Sequence, residues 1–422
     1  MSNQIEYKET NLLWCPLIPK DWEVKKLKYV VDFLDSKRVP LSSDERGKMI
    51  NRVYDYYGAS GIIDKVENYI FDGTYILLGE DGANLITRST ELAFIATGRF
   101  WVNNHAHILE PREGNIYYFK NLLESYDYYP LISGSAQPKL TSENLANIDL
   151  PIPPIEVQHK IANFLDQKTT DIDNLISQKQ KLIDCLKEER MAIINQAVTK
   201  GINPNAEMKE SGIEWLGEIP KHWEVKKLKY ILAEKLEYGA NESALESNNE
   251  NPRYLRISDF DEEGILRMDT FKSLPLEKAK DFLLKKGDIL FARSGATVGK
   301  TFIFWNYEGI ACFAGYLIKA RPNLDVINPI YLYLYTKSNA YENWKNSIFN
   351  QSTIQNIGAD KYCDLEVPMP KISEQTKIVS YIEIQTQCID TTIGKIEQEI
   401  DLIKEYRTSL INEVVTGKKI IK

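Results

Sequence analysis

The chain has 422 residues, 43% of them hydrophobic and 27% charged, a composition that is ordinary for a globular protein of two or three domains. It contains no apolar run near the roughly 20 residues that a membrane-spanning helix needs, and its polar N-terminus, MSNQIEYKET, is not a secretory signal. The net charge of −8 argues against a generally basic nucleic-acid-binding protein, and five scattered cysteines without a CxxC pair predict a reducing cytoplasm without disulfides or zinc.

The first element that the sequence predicts is a phrase that occurs twice. Residues 18–30, IPKDWEVKKLKYV, return as residues 219–231, IPKHWEVKKLKYI, with eleven of thirteen positions identical at an offset of 201. A second phrase, LPIPPIEVQHKIANFLD at 150–166, returns as VPMPKISEQTKIVSYIE at 367–383, at an offset of 217. The chain is therefore an internal repeat, and its second variable block is 16 residues longer than the first.

The repeat divides the chain into five predicted segments. They are an N-terminal conserved segment (1–30), a first variable block (31–150), a central conserved region with a long helix (151–231), a second variable block (232–366) and a C-terminal conserved region with another long helix (367–422).

The two variable blocks are predicted to be α+β domains. Gly- and Asn-rich turns separate strand-like runs, which lie at 75–78, 92–96, 288–292 and 301–305. Between the repeated phrases the two blocks share little. One weak echo pairs YILLGEDGAN (75–84) with DILFARSGAT (288–297), and in both a strand enters a glycine turn.

Each second phrase opens a long predicted helix. Pro154 suits the start of the first helix, while Gly201 and Pro204 suit its end. Apolar or long side chains recur at alternating spacings of 3 and 4, which predicts a coiled-coil seam. The seam positions are Ile161, Leu165, Lys168, Ile172, Leu175, Lys179, Leu182, Leu186, Arg190, Ile193 and Ala197 in the first helix, and Ile378, Ile382, Ile389, Ile396, Ile403, Leu410 and Val414 in the second.

The length of these helices favours pairing between them. The second is expected at about 373–416, and each would be roughly 60 Å long at about 1.5 Å per residue. The alternative is that each helix packs only on its own domain. In a paired seam, Lys168 and Lys179 should face Gln385 or acidic residues, because an unpaired buried charge costs on the order of 3–5 kcal/mol.

Several short motifs resemble catalytic or metal-binding sequences without matching them. SGATVGKT (294–301) lacks the first glycine and the four-residue spacing of a phosphate-binding loop. His105 and His107 in NNHAH have no nearby cysteine, so a buried or hydrogen-bonding role is favoured over a metal site. No nucleophile–base arrangement is visible, and the sequence predicts neither catalytic residues nor a metal site.

The order of the phrases resembles the specificity (S) subunits of type I restriction–modification systems. The resemblance spans essentially the whole chain and rests on IPxxWE and on Pro-x-Pro-Pro/Lys-x-x-x-Gln-x-x-Ile, each present twice. In the first block, YGASGIIDK (57–65), VNNHAHIL (102–109) and SGSAQPKLT (133–141) resemble phrases of that family's target recognition domains. The second block has QSTIQNIG (351–358) in place of the last of these.

The resemblance implies an α+β fold with two target recognition domains in a pseudo-twofold arrangement, separated by two long antiparallel helices. Each domain would read one half of a split site in double-stranded DNA. The shared phrases would dock two methyltransferase (M) subunits, with restriction (R) subunits as further partners. The chain itself would be non-catalytic and without a cofactor, and S-adenosylmethionine would bind the partner methyltransferase.

Polar residues in the loops of the blocks are the candidate DNA-reading residues, because arginine pairs with guanine, and asparagine or glutamine with adenine. In the first block they are Tyr57, Ser60, Arg88, Asn103, Asn104, Ser135, Gln137 and Lys139. In the second they are Arg253, Arg256, Arg293, Ser294, Lys300, Gln351, Ser352 and Gln355. The candidate partner-docking residues are Trp22, Trp223, Gln158 and Gln375.

Charge constrains how such a protein would bind DNA. Residues 31–150 carry 11 Lys and Arg against 17 Asp and Glu, so phosphate neutralisation by this block alone would be weak. The partner subunits are therefore expected to clamp the DNA. Two other classes stay open at this point, a fused DNA methyltransferase or nuclease and a structural coiled-coil scaffold.

Overall fold

The computed structural model describes residues 6–133, 138–248, 250–261, 264, 266–295, 297–349 and 356–421. They form two compact units. Unit 1 comprises residues 1–179 and 397–422, and unit 2 comprises residues 180–396. The predicted conserved regions 151–231 and 367–422 are therefore not compact units of their own, because each is divided between the two.

The first half of the chain contains ten strands and five helices among its described residues. The strands are β1 (Tyr7–Glu9), β2 (Leu17–Pro19), β3 (Glu23–Lys26), β4 (Val31–Phe33), β5 (Tyr54–Gly58), β6 (Gly61–Val66), β7 (Phe71–Gly79), β8 (Ala93–Val102), β9 (Ala106–Pro111) and β10 (Asp149–Ile152). The helices are α1 (Ser43–Gly47), α2 (Asn84–Thr87), α3 (Ile116–Ser125), α4 (Ser142–Ala146) and α5 (Ile155–Lys200).

The second half contains the same number of each in its described part. Its strands are β11 (Met208–Glu210), β12 (Glu218–Pro220), β13 (Glu224–Lys227), β14 (Glu237–Tyr238), β15 (Arg253–Leu255), β16 (Ile289–Ala292), β17 (Thr301–Ile303), β18 (Ala311–Phe313), β19 (Leu317–Ala320) and β20 (Glu366–Met369). Its helices are α6 (Leu276–Ala279), α7 (Pro329–Tyr335), α8 (Asn339–Phe349), α9 (Ala359–Cys363) and α10 (Ile372–Val415). The α+β prediction and the four predicted strand regions are confirmed.

The two variable blocks share a sheet topology that their sequences do not reveal. Unit 1 has a six-stranded sheet in the order β4-β9-β7-β8-β5-β6, in which only β5 and β8 are parallel. Unit 2 has an antiparallel four-stranded sheet in the order β14-β19-β16-β17. The first four strands correspond one to one, so the two blocks share a fold although their sequences share little. Both central strands, β7 and β16, end in buried apolar residues, which provides a common core.

The two repeated phrases of each half pair with each other as strands, and we call these two strands the conserved strand pair of the unit. Strand β3 from the first phrase pairs antiparallel with β10 from the second, placing Lys26 opposite Asp149. In unit 2, β13 and β20 pair in the same way, with Lys227 opposite Glu366. The two phrases therefore repeat together because they are two strands of one structure, and the extra 16 residues fall in the block that the strands enclose.

The long helices begin and end almost where the sequence predicts, but their buried stripe has a different period. Isoleucines are buried at every eleventh position, at 161, 172, 183 and 194 in α5 and at 378, 389, 400 and 411 in α10. The predicted seam residues Leu175 and Leu182 are 42% and 49% exposed. An 11-residue repeat averages about 3.67 residues per turn, so a seam extrapolated at 3.5 leaves the buried face by one residue.

The helices pair antiparallel within each unit, as predicted. In unit 1, Ile161 and Leu165 of α5 belong to one buried cluster with Leu410 and Val414 of α10. In unit 2, Ile194 and Val198 of α5 cluster with Ile378 and Ile382 of α10. Each unit is therefore completed by the helix end that the other half of the sequence provides.

The polar positions of the seam find acidic partners. In unit 1, Lys179 Nζ lies 2.5 Å from Glu399 Oε2 across the seam, as predicted. Lys168 also has an acidic partner, as predicted, but on its own helix, where its Nζ lies 3.4 Å from Asp171 Oδ2. In unit 2, Arg190 pairs with Asp390 at 2.9 Å.

No helix in the described part of the chain is long and apolar enough to cross a membrane.

Candidate nucleic-acid interface

Three loops of unit 1 meet where the central strand β7 ends. The Glu80 N–H donates to the His105 carbonyl at 2.9 Å, and the Glu80 carbonyl accepts from the Leu140 N–H at 2.8 Å. An antiparallel bridge joins Asp81 to Lys139. We call this cluster, residues 80–81, 103–105 and 139–140, the first loop junction. It brings the glycine turn after β7 together with the loops that carry the predicted readers Asn103, Asn104 and Lys139.

Unit 2 has the same arrangement at the end of β16. The Arg293 N–H donates to the Tyr316 carbonyl at 3.0 Å, and the Arg293 carbonyl accepts from the Ile357 N–H at 2.9 Å. An antiparallel bridge joins Ser294 to Asn356. This cluster, residues 293–294, 316 and 356–357, is the second loop junction. The weak sequence echo between 75–84 and 288–297 therefore marks equivalent positions, with Glu80 in one unit and Arg293 in the other.

A buried ion network organises the first loop junction. The Glu80 carboxylate contacts Arg38 Nη1 and lies 3.1 Å from Lys139 Nζ. Burial alone would raise the pKa of Glu80, but hydrogen bonds from Arg38 and Lys139 and the nearby His107 outweigh burial and lower the pKa. The carboxylate therefore stays charged and neutralises the two cations that approach it.

His107 is a buried hydrogen-bonding residue, the role that the sequence favours. Its Nδ1 lies 2.7 Å from Asp35 Oδ2 and its Nε2 lies 2.9 Å from the Leu140 carbonyl, while Ser142 Oγ donates to the same Asp35 oxygen at 2.8 Å. Burial would raise the pKa of Asp35, but the hydrogen bonds from His107, Ile108 N–H and Ser142 lower it. Within the described ranges, no three His, Cys, Asp or Glu side chains cluster as metal ligands would.

Five of the predicted readers in unit 1 lie at or beside the first junction, and four of them are at least partly accessible. Asn104 and Lys139 belong to it and are exposed. Ser60 is exposed at the neighbouring β5–β6 turn, and Tyr57 is half-buried against Phe94 and Phe100. Tyr57 also accepts the Asn103 N–H on its carbonyl at 3.0 Å, which connects the two turns.

Asn103 and Arg88 are structural rather than reading residues. Asn103 is buried and its Oδ1 accepts the His105 N–H at 2.8 Å within its own turn. Arg88, at a positive φ of 47° after α2, donates to the Glu124 carbonyl at 2.7 Å and also to Tyr126. Carbonyls at a helix C-terminus lack intrahelical partners, and an arginine side chain satisfies them here. Asn103 is therefore not available to DNA, while Arg88 is exposed but held by these carbonyls.

In unit 2 the outcome is also mixed. Arg253 is buried between the rings of Phe271 and Tyr307, at 5.4 and 5.3 Å, so its prediction as a reader is wrong. Arg256 forms a two-point contact with the buried Asp259 carboxylate, at 2.8 and 3.2 Å, which fixes its guanidinium. A fixed guanidinium that pairs with a carboxylate is a structural tie.

Three predicted readers of unit 2 remain accessible. Arg293 and Ser294 are half-buried at the second junction, and Lys300 is exposed. The predicted readers Ser135, Gln137, Gln351, Ser352 and Gln355 lie outside the described residues. Lys139 and Asn356, described residues that follow these segments, are both bridged into a loop junction.

Sequence reasoning missed three residues that build the junctions. Arg38, Glu80 and Tyr238 all place a charged or aromatic group there. Only Glu80 carried a signal, because it lies in the quoted glycine turn. Arg38 and Tyr238 approach from β4 and β14 segments that are distant in sequence, and no local pattern marks them.

The predicted docking tryptophans lie immediately before the first strand of each conserved strand pair, and both are buried. Trp22 packs near Gly417, which has a φ of +74°, and Trp223 packs near Gly201, which has a φ of +77°. A Cβ at either glycine would come within about 3.2 Å of the indole. Both tryptophans therefore hold the end of a long helix, and buried side chains cannot contact a partner directly.

Each predicted docking glutamine is buried and joins the second phrase to the N-cap residue of a helix in the preceding variable block. Gln158 Oε1 accepts the Asn115 N–H at 3.0 Å and its Nε2 donates to the Pro153 carbonyl at 3.0 Å. Gln375 accepts the Asn328 N–H at 2.8 Å and donates to the Pro370 carbonyl at 2.9 Å. The internal bonds account for both glutamines, so their prediction as docking residues is corrected to a structural role.

We expect Gln375→Ala to destabilise the protein by about 1–3 kcal/mol, because a buried N–H and a buried carbonyl lose their partners. Urea unfolding of the purified chain measures this effect. Gln385→Ala, at an exposed position of the same helix, is the matched control and should change stability little. Full stability of Gln375→Ala, combined with lost binding of a partner subunit, would return Gln375 to a docking role.

Comparison with known proteins agrees with this duplicated architecture. The family model for the type I restriction modification DNA specificity domain matches the chain twice, at residues 19–184 and 220–402. A Haemophilus influenzae protein named as a type I restriction enzyme specificity subunit is 29% identical over 401 residues, covering 92% of this chain and 95% of its own. The MjaVIII specificity subunit of Methanocaldococcus jannaschii is 23% identical over 431 residues, covering 96% and 94%.

A solved structure shows the same fold. A chain from a study of complex assembly and conformational transition in a type I R-M system aligns with a TM-score of 0.67 at 14% identity, covering 95% of this chain and 99% of its own. Each of the two family matches contains one conserved strand pair and the variable block that it encloses. The chain therefore belongs to the type I restriction–modification DNA specificity family and contains two copies of its domain.

Proposed function

We propose that the two units of this specificity subunit each read one half of a bipartite site in double-stranded DNA. The observation that supports this most directly is the equivalence of the two loop junctions. Both stand at the end of the same central strand and are fixed by the same backbone hydrogen bonds, yet their side chains differ. A common frame with different polar side chains is what two readers of unrelated half-sites require.

The two conserved strand pairs, with the repeated phrases that form them, are the proposed docking sites for two methyltransferase subunits. Partners that bind in two equivalent copies need the same surface twice, and the repeated phrases are the most similar parts of the two halves. Since the tryptophans and glutamines are internal, exposed members of the first phrase would make the contact. Tyr29 and Tyr230 are 63% and 69% exposed at equivalent positions, each with the ammonium of the preceding lysine over its ring.

The partner subunits would also supply most of the affinity for DNA. Unit 1 neutralises Arg38 and Lys139 with Glu80, and residues 31–150 carry more acidic than basic side chains. Non-specific affinity for DNA comes chiefly from cations at the phosphates, so basic surfaces elsewhere in the complex are required. S-adenosylmethionine would bind the methyltransferase partner, and restriction subunits would join the same complex.

The complex would act in the cytoplasm, where its DNA is accessible. The five cysteines are all unpaired, which suits a reducing compartment. The chain contributes recognition and assembly and no catalysis. We therefore expect the purified chain, given S-adenosylmethionine and DNA, neither to methylate nor to cut.

Methylome sequencing of cells with the gene present, deleted and restored tests this function. A bipartite motif, methylated at adenine as the family resemblance implies, should disappear on deletion and return on restoration. An unchanged methylome would contradict a role in specificity. Methyl transfer by the single chain would favour a fused methyltransferase, and a complex that assembles without protecting DNA would favour a structural scaffold.

A further inference from the structure

The two loop junctions have opposite charge at the same position. In unit 1 this position is Glu80, whose carboxylate contacts Arg38 and Lys139. In unit 2 it is Arg293, whose guanidinium carbon lies 4.8 Å from the centre of the Tyr238 ring. The first junction therefore holds a carboxylate that binds its own cations, and the second holds a cation stacked on an aromatic ring.

The Arg293 side chain has no partner for its charge among the residues that the structure describes. Its Nε is buried without a hydrogen-bond acceptor, and no described carboxylate lies within ion-pair distance. This contrasts with Arg256 of the same unit, which is paired with Asp259, and with Arg321, which is paired with Asp288 and Glu234. A guanidinium without a counter-charge, beside exposed loops, is available to an external acceptor.

The surroundings of Arg293 hold it in one orientation. Its N–H and carbonyl are both bonded, to Tyr316 at 3.0 Å and to Ile357 at 2.9 Å. The ring beneath it is held as well, because the Tyr238 hydroxyl accepts the Ala359 N–H at 2.9 Å. The guanidinium carbon lies over this fixed ring, and the cation–π attraction favours that placement. Such preorganisation reduces the entropy that binding would otherwise cost.

We propose that Arg293, stacked on Tyr238, is a specificity-determining residue that reads guanine in the half-site bound by unit 2. Guanine presents two acceptors, O6 and N7, in one plane of the major groove, and a planar guanidinium fork matches them with two hydrogen bonds. Glu80 leaves the corresponding position of unit 1 without an unpaired cation, so no equivalent guanine contact comes from that position. The inference rests on the proposed reading of DNA by both units.

A phosphate is the other anionic partner that an arginine could take. The placement of the guanidinium over a fixed ring favours a planar acceptor pair, because a phosphate accepts from many directions and needs no such restriction. Lysine separates the two cases. It retains the charge that a phosphate requires but lacks the planar fork and stacks less well, so Arg293→Lys should fail only if the contact is to a base.

The test uses the complete methyltransferase complex with wild-type chain, Arg293→Gln, Arg293→Lys and Lys286→Gln. Lys286 is the matched control, since its ammonium also lies over an aromatic ring, that of Trp305 at 4.7 Å. Lys286 precedes the first residue of β16, whereas Arg293 follows the last. Methylome sequencing gives the recognised motif. Binding to duplexes with one base pair changed at a time gives the discrimination at each position.

The expected result is a relaxed preference for guanine at one position of one half-site, in both Arg293 variants. Discrimination at that position should fall by on the order of ten- to a hundred-fold, while the other half-site and the Lys286→Gln motif stay unchanged. An unchanged motif, a uniform loss of binding that Arg293→Lys restores, or a change in both half-sites would overturn the assignment. Absence of any methylation dependent on the wild-type chain would instead contradict the proposed function, so the two failures are distinguishable.

Discussion

Exchange of the first variable block for that of a relative is expected to replace one half of the recognised DNA site and leave the other half unchanged. The first loop junction and its ion network consist entirely of residues between Asp35 and Ser142, so the exchanged segment would bring a complete junction. The second junction consists of residues of unit 2 alone and has its own buried clusters. Methylome sequencing of the chimera measures the result.

The structure refines where the exchange should be cut. The boundary predicted at 150 lies inside β10, which pairs with β3, so residues 31–148 should be exchanged and both strands kept. The block must also bring a tyrosine at the position of Tyr118, whose hydroxyl lies 2.8 Å from the Pro151 carbonyl and 3.2 Å from the Val415 carbonyl. A Tyr118→Phe variant is the control for damage to this tie, and it should retain the original motif. If both half-sites change in the chimera, the blocks are not independent readers.

Lengthening the paired helices is expected to lengthen the non-specific spacer between the two half-sites. Four residues inserted after Ser177 of α5 add about 6 Å, close to two base pairs at ~3.4 Å each. In the antiparallel pair, Lys179 is opposite Glu399 and Asp173 is opposite Arg407. A matched insertion after Leu402 of α10 therefore keeps both ion pairs and both ends of the seam.

The period of the seam decides which insertions are tolerated. Four residues advance the helix by about 400°, which keeps the buried face within roughly 40° of its place, whereas two residues advance it by about 200° and turn polar side chains inward. We expect the four-residue variant to methylate a motif with both half-sites intact and a longer spacer, and the two-residue control to be inactive. An active four-residue variant with the original spacer would mean that the helices do not set this distance.

Local sequence was sufficient for the features that depend on short-range pattern. The two long helices begin and end within two residues of their predicted bounds, because a proline, a glycine and a regular apolar stripe mark them locally. The strands β7, β8, β16 and β17 follow from apolar runs that Gly- and Asn-rich turns separate. The repeat itself was visible because the phrases of both halves must form the same strand pair and hold the end of a long helix in the same way.

The sequence alone did not distinguish a reading residue from a structural one. Arg88, Arg253 and Arg293 are all arginines in predicted loops, yet one satisfies helix carbonyls, one is buried between two rings and one remains without a described counter-charge. The difference comes from partners more than ten residues away in each case, which no local pattern encodes.

The same limit explains the tryptophans and the seam. Trp22 and Trp223 belong to a repeated phrase whether it faces a partner or the interior, and only their packing against Gly417 and Gly201 shows that they are internal. Regular spacing predicted that each helix has a buried face, but only the side chains that the partner helix covers show which residues form it. The sequence by itself thus determined the duplicated frame, since repetition and periodicity are properties of the chain. The tertiary structure decided which polar groups stay exposed, because burial and ion pairing depend on contacts between distant segments.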